Sequence, residues 1–189
     1  MASTYTNLGV ELMATGENAG TWGTKTNTNL NIIEQISGGY AIQTLNAAGA
    51  GANTTTLAVS DGSTGATMAS RVIIMGAVSA QAITGNKILT MPVLTENFYL
   101  IKNSTSGAYT VQLKAASGSG ATVTWGTTDK DWKLIYFDGV ATNTGVYDLG
   151  LTTAANTQTL TNKTLTSPKI GTSILDTNGL QLALLTATG

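Results

Sequence analysis

The sequence predicts a mainly β protein. The expected parts are a β-sandwich or jelly-roll-like domain over residues 41–150, an amino-terminal segment 1–40 with one short helix, and an extended, intertwined carboxy-terminal segment 151–189. Three observations predict this. Short apolar runs are separated by turn residues through the middle of the chain. Thr, a short β-branched residue, is the commonest amino acid. Only 10% of residues are charged, against roughly 25% in ordinary soluble domains.

The helix is expected around Thr24–Ser37. Trp22, Leu30, Ile33 and Ile36 fall near helical spacing and can share one face. Asn and Thr fill the remaining positions and give poor intrinsic propensity, so the helix needs packing to persist. Gly38-Gly39 supplies an expected left-handed stop. The stripe fits two readings: a cap on the β domain of the same chain, or a docking face for another subunit.

Seven strands are expected in the middle region: Thr54–Ser60, Arg71–Val78, Lys87–Met91, Asn97–Asn103, Ala108–Ala115, Thr122–Trp125 and Trp132–Phe137. Turn signals separate several of them, including Asp61-Gly62, Ser106-Gly107 and Asp138-Gly139. From Tyr109 to Ala115, apolar Tyr109, Val111, Leu113 and Ala115 alternate with Thr110, Gln112 and Lys114, as in a strand with one wet face. Trp132–Phe137 is apolar on both faces except for Lys133, which places it in the interior of a sheet.

In the tail, Leu160, Leu165, Ile170, Leu175, Leu180 and Leu185 recur every five residues among Thr, Asn, Ser and Gly. A helix needs a 3.6 period, and steps of five along one flat strand would throw successive Leu onto opposite faces. An extended chain wound with two copies of itself satisfies the pattern, with these six residues as trimer contacts. A disordered Thr-rich linker is the alternative. It leaves the aliphatic side chains wet.

Composition also narrows the chemistry. Net charge is −1, Arg71 is the only arginine and no basic run occurs, so nucleic acid is not an expected partner. The chain has no Cys and no His. Disulfides, thiolate metal sites and His-dependent triads are therefore excluded. No run of about 18 apolar residues predicts a membrane-spanning helix. The opening MASTYTNLGVELMATGENAG lacks the basic and apolar regions of a signal peptide and is expected to be a mature terminus.

Asp129 and Asp131 are the one close pair of acidic residues, and they read as a solvated turn in Thr127–Asp131 rather than a hydrolytic pair. Gly16–Gly23 lacks the Gly-Lys-Ser/Thr ending of a phosphate loop. Asp61-Gly62-Ser63 is too short for a calcium loop. Trp22, Trp125 and Trp132 can stack on sugars, but aromatic residues in strands more often belong to the core. No enzyme activity, cofactor or metal is expected.

Two blocks carry a resemblance. Thr15–Asn31, TGENAGTWGTKTNTNLN, resembles the amino-terminal segment of tail-fibre and other virion structural proteins of tailed bacteriophages, especially those of marine bacteria. Thr159–Pro168, TLTNKTLTSP, looks like an element of phage tail-fibre shafts and junctions. The resemblance implies a structural subunit located in the virion and assembled in the host cytoplasm, forming a homotrimer. Residues 1–40 would attach it to another virion protein through Trp22, Leu30, Ile33 and Ile36. Residues 151–189 would start a fibre shaft used in host adhesion. The alternative is a capsid-decorating or head-appendage β module that binds a host-surface glycan.

Overall fold

The computed structural model describes residues 2–45 and 53–151, together with the backbone of two short strands, 174–175 and 181–183. The chain divides into two compact units, Met1–Asn156 and Thr157–Gly189. The expected boundary near residue 40 thus falls inside the first unit, and the second begins close to the expected start of the tail.

The protein is mainly β, with one helix among the described residues. A small ladder pairs β1 (Thr4–Tyr5) antiparallel with β2 (Glu11–Leu12). The helix follows over Trp22–Gly38. Then come β3 (Tyr40–Gln43), β4 (Asn53–Thr56), a 3-10 turn at Thr67–Ala69, β5 (Val72–Ala82), β6 (Lys87–Met91), β7 (Glu96–Ser106), β8 (Val111–Ala115), β9 (Val123–Trp125), β10 (Trp132–Asp138) and β11 (Val146–Asp148). Each of the seven expected middle strands overlaps one observed strand. The strands β1, β2, β3 and β11 are additions.

From β3 to β8 the chain alternates between two sheets. One has the order β11-β10-β7-β5-β3 and the other the order β4-β6-β8-β9. Within them β3, β5 and β7 run parallel, as do β4, β6 and β8. Only β9, β10 and β11 add antiparallel pairs. The path is three successive coils, each giving one strand to each sheet. This corrects the jelly-roll expectation, because a jelly roll is built from antiparallel Greek keys. The physical reason lies in the turns. Ser106-Gly107 does bend the chain, but it carries it from β7 in one sheet to β8 in the other. Gly107 has φ +96, and a Cβ there would stand 2.8 Å from the Ile83 carbonyl.

One core fills the space between the sheets. Ile73, Met75, Ile101, Ile135 and Phe137 from the first sheet meet Leu89, Met91, Val111, Leu113 and Trp125 from the second. Tyr99 and Phe137 meet edge to face, with centroids 5.4 Å apart at 72°. Burying each large side chain contributes about 1.5–3 kcal/mol. Polar groups inside this core have partners. The Tyr99 hydroxyl donates to the Met68 carbonyl at 3.1 Å, and the Trp125 indole N–H donates to the Asp131 carbonyl at 3.1 Å. The alternation read at Tyr109–Ala115 holds: Val111, Leu113 and Ala115 are buried, and Gln112 and Lys114 are not.

The helix spans more than expected and stops differently. Gly39, its carboxy-terminal cap, is extended at φ −65 and ψ 158 rather than left-handed. Its N–H donates to the Gln35 carbonyl at 2.6 Å. A Cβ on Gly39 would sit 2.6 Å from that same oxygen, so close approach, not a left-handed φ, is what calls for glycine.

In the second unit, β12 (Ile174–Leu175) pairs antiparallel with β13 (Gln181–Ala183). Most of the expected extended, intertwined segment 151–189 lies outside the described residues.

Candidate functional site

Two surfaces stand out, and local sequence builds each. The first is on the helix. Lys25, Asn29, Ile32 and Ile36 follow one another at steps of four, three and four, which places them on one face. Lys25 Nζ lies 2.9 Å from Glu11 Oε2. Asn29 accepts from the Glu11 N–H and donates to the Glu11 carbonyl, both at 2.9 Å. Asn18 Nδ2 donates to Glu11 Oε1 at 3.3 Å. Hydrogen bonding from Lys25 is the main reason the Glu11 carboxyl is held below its usual range, and the Lys25 ammonium is raised in return by Glu11. Below this polar clamp Ile32 is fully buried with Ala66 and Ala69, and Val10 and Ile36 pack against them.

The clamp chooses the face, and this corrects the expected stripe. Ile36 turns inward beside Ile32, a residue not singled out from the spacing. Trp22, Leu30 and Ile33 remain 66%, 57% and 50% exposed. Leu30 and Ile33 border a shallow concavity that reaches Gly38 and Gly39. Of the two readings of the helix, capping of the same chain therefore applies to Ile36 alone. The other three residues stand in solvent.

The second surface is the outer face of the five-stranded sheet. Its rows follow from the register. Tyr40, Val72, Leu100 and Leu134 align across four strands. The next row is Ile42, Ile74, Lys102 and Trp132. In the other direction Phe98, Tyr136 and Tyr147 align, and Glu96 pairs with Asp138 beyond them. Tyr40, Ile42, Phe98 and Tyr147 are exposed, and Ile74 at the centre is buried. The Arg71 guanidinium lies 3.9 Å over the Phe98 ring and donates to Asn97 Oδ1 at 2.6 Å and to the Phe98 carbonyl. Lys102 Nζ lies 5.7 Å from the Trp132 ring centre. Asp138 accepts from the Val140 and Gly145 backbone N–H groups and from the Tyr147 hydroxyl. Those two backbone bonds are the main cause holding its carboxyl below the usual range.

This face was legible in part. Trp132–Phe137 is interior to its sheet, between β7 and β11, as its two apolar faces suggest. Ile135 and Phe137 enter the core, but Trp132, Leu134 and Tyr136 stay half-exposed. Apolar residues at both parities, here and in Val72–Met75, were the signal for a second apolar surface.

The other singled-out residues have local roles. Asp129 Oδ2 pairs with Lys133 at 3.1 Å, and Asp131 Oδ1 accepts from the Trp132 N–H at 2.7 Å. These bonds hold the turn before β10. Trp125 is core, Trp132 lies on the outer sheet face and Trp22 on the helix surface. Among the described residues no cluster of three acidic side chains is placed to hold a metal ion, and no helix is long and apolar enough to cross a membrane. Of the periodic tail residues, Leu160, Leu165, Ile170, Leu180 and Leu185 lie outside the described residues, and of Leu175 only the backbone, in β12, is described. Comparison with protein-family models, curated proteins and solved structures returned no match.

Proposed function

We propose that this chain is a structural subunit of a tailed-phage tail fibre or fibre connector. It works as a homotrimer in the virion, without catalytic chemistry. Residues 1–40 attach it to another virion protein, and residues 151–189 begin the shaft that serves host adhesion. One observation carries the attachment role. Within the TGENAGTWGTKTNTNLN block, Asn18, Lys25 and Asn29 are spent on holding Glu11, while Trp22, Leu30 and Ile33 are left in solvent. A helix clamped by polar bonds and presenting an apolar stripe outward is suited to docking on a partner. The test is the protein content of particles assembled with Trp22→Ala. Reduced incorporation with a normally folded β domain supports the assignment, and normal incorporation removes it.

A second reading is a capsid-decorating or head-appendage module that binds a host-surface glycan. It is favoured by the aligned rings of Phe98, Tyr136 and Tyr147 beside the Asp138 carboxylate, because flat aromatic faces with a hydrogen-bond acceptor alongside suit sugars. Saturable binding of oligosaccharide by a monomeric chain would favour this second reading over the fibre.

A further inference from the structure

We infer that the protein is attached by strand addition: an extended segment of another virion protein, with apolar alternate side chains, pairs with the open edge of β3. The inference rests on the attachment role proposed for residues 1–40 and names how the partner is held.

The edge is the first argument. β3 ends its sheet, and among the described residues no strand pairs with its other side. The Val72 N–H donates to the Gly39 carbonyl at 2.9 Å. Bonding residues alternate along a parallel ladder, so Ala41 and Gln43 also face β5. The backbone N–H and C=O of Tyr40 and Ile42 point the other way, and these two residues are 53% and 42% exposed. Natural sheet edges are blunted by charge, proline or bulges. β11, at the opposite edge, carries Asp148, which Lys133 holds at 2.9 Å. β3 reads Tyr-Ala-Ile-Gln and pairs with β5 without a break in register. It has none of those protections, and backbone groups in this state are a template for one more strand.

The helix is the second argument, and it selects the occupant. Leu30 and Ile33 border a concavity that reaches Gly38 and Gly39, the residues leading into β3. The concavity therefore adjoins the start of the open edge. A second copy offering its own β3 antiparallel could cover the edge but not the concavity. Its chain leaves the strand at Thr44 and enters its own core at Leu45, which is 1% exposed. The Leu45 N–H and C=O are both bonded to the Gln81 side chain, at 2.9 and 2.6 Å, so the strand cannot run on. A separate extended segment has no such turn and covers both features. Its backbone bonds to Tyr40 and Ile42, its alternate side chains lie beside theirs on the outer sheet face, and an apolar residue beyond them enters between Leu30 and Ile33. Main-chain bonds supply affinity in this mode, and the concavity supplies selectivity.

Particles assembled with Ile42→Pro test the inference. Proline removes an outward N–H and sets its ring in the path of an added strand. It takes no bond from β5, and proline is tolerated at such edge positions. Ile42→Thr keeps both the N–H and the β-branched shape. Incorporation of the Ile42→Pro chain should fall about tenfold or more, and that of Ile42→Thr should stay within about twofold of the unmodified chain. Normal incorporation of Ile42→Pro overturns strand addition; if Trp22→Ala is still poorly incorporated, the attachment role survives alone. Normal incorporation of both removes both. Equal losses in the two Ile42 variants would assign the contact to the side chain and also overturn strand addition. Where Ile42→Pro fails to fold, hydrogen exchange of the unmodified chain, free and in particles, decides. The Tyr40 and Ile42 amides should exchange fast in the free chain and slowly in particles, with Ala41 slow in both. Fast exchange in both states would overturn the inference. Protection of Tyr40 and Ile42 in the free chain, at any concentration, would give the edge to the chain itself or to a second copy and overturn it as well.

Discussion

Asn29 and Glu11 are joined by two hydrogen bonds, each 2.9 Å long: the Asn29 side-chain amide pairs with the peptide N–H and C=O of Glu11 as a neighbouring strand would. The helix thus closes the open side of β2 with a side chain. Asn29→Ala strips both backbone groups at once and should destabilise the first unit by about 1–3 kcal/mol, the usual penalty for orphaned, partly buried polar groups. Asn31→Ala, on an exposed position of the same helix, should change stability by less than about 0.5 kcal/mol. Urea unfolding of the two variants checks the contrast.

The Glu11–Lys25 ion pair gives this contact a pH dependence. The Glu11 pKa is lowered from its ordinary 4.5. Its contribution is therefore fully present above about pH 4.5 and is lost as pH falls through the lowered folded value. The Lys25 pKa is raised from 10.5, so its share is present below that value and lost as pH rises through the folded one. Glu11→Gln should flatten the acid limb of a stability-versus-pH curve. An unchanged acid limb would show that the pair does not contribute.

Tyr99 should ionise late. Burial is the main cause pushing its hydroxyl up to about 12. The neutral form is the one favoured by folding, so the associated stability is present below about pH 10 and is lost as pH rises through about 12. Absorbance titration of tyrosinate should show a late component near pH 12 that is absent in Tyr99→Phe. That variant loses the bond to Met68 and should cost about 0.5–1.5 kcal/mol.

The two sides of the helix should contribute unequally to stability. Ile32→Ala empties a fully buried site and should cost about 2–5 kcal/mol of folding stability. Trp22→Ala and Ile33→Ala alter exposed residues and should move stability by less than about 0.5 kcal/mol. Thermal unfolding separates the pair directly. A large loss at Trp22 would mean that it supports the fold and not a partner.

Gly76 should resist substitution. It adopts φ +103, and a Cβ there would collide with the Ser104 carbonyl on β7. Just beyond it the β5–β7 register jumps from Gly76↔Ser104 to Gln81↔Thr105, so four residues loop out. Gly76→Ala should cost more than about 1 kcal/mol, with hydrogen exchange accelerated at Gly76–Ala82 and its β7 partners before the rest of the sheet.

The β class, the position of one helix and the seven middle strands were legible in the residue pattern, because hydrophobic periodicity and turn residues act over a few neighbours. The sequence also excluded His and Cys chemistry. Which strands pair, and in which direction, was decided only in three dimensions. A turn such as Ser106-Gly107 reverses the chain whether it stays in one sheet or crosses to another, and the shared core then rewards the parallel, alternating path. The helix shows the same division. Its spacing made Trp22, Leu30, Ile33 and Ile36 one stripe, yet Ile36 packs, partly buried, against Ile32 and the others stay exposed. The deciding contacts were Lys25 and Asn29 on Glu11, polar bonds to a residue 14 and 18 positions away. Local pattern cannot show such a partner. The outer sheet face was written in the sequence as apolar residues at both parities, but only the register assembled them into one surface.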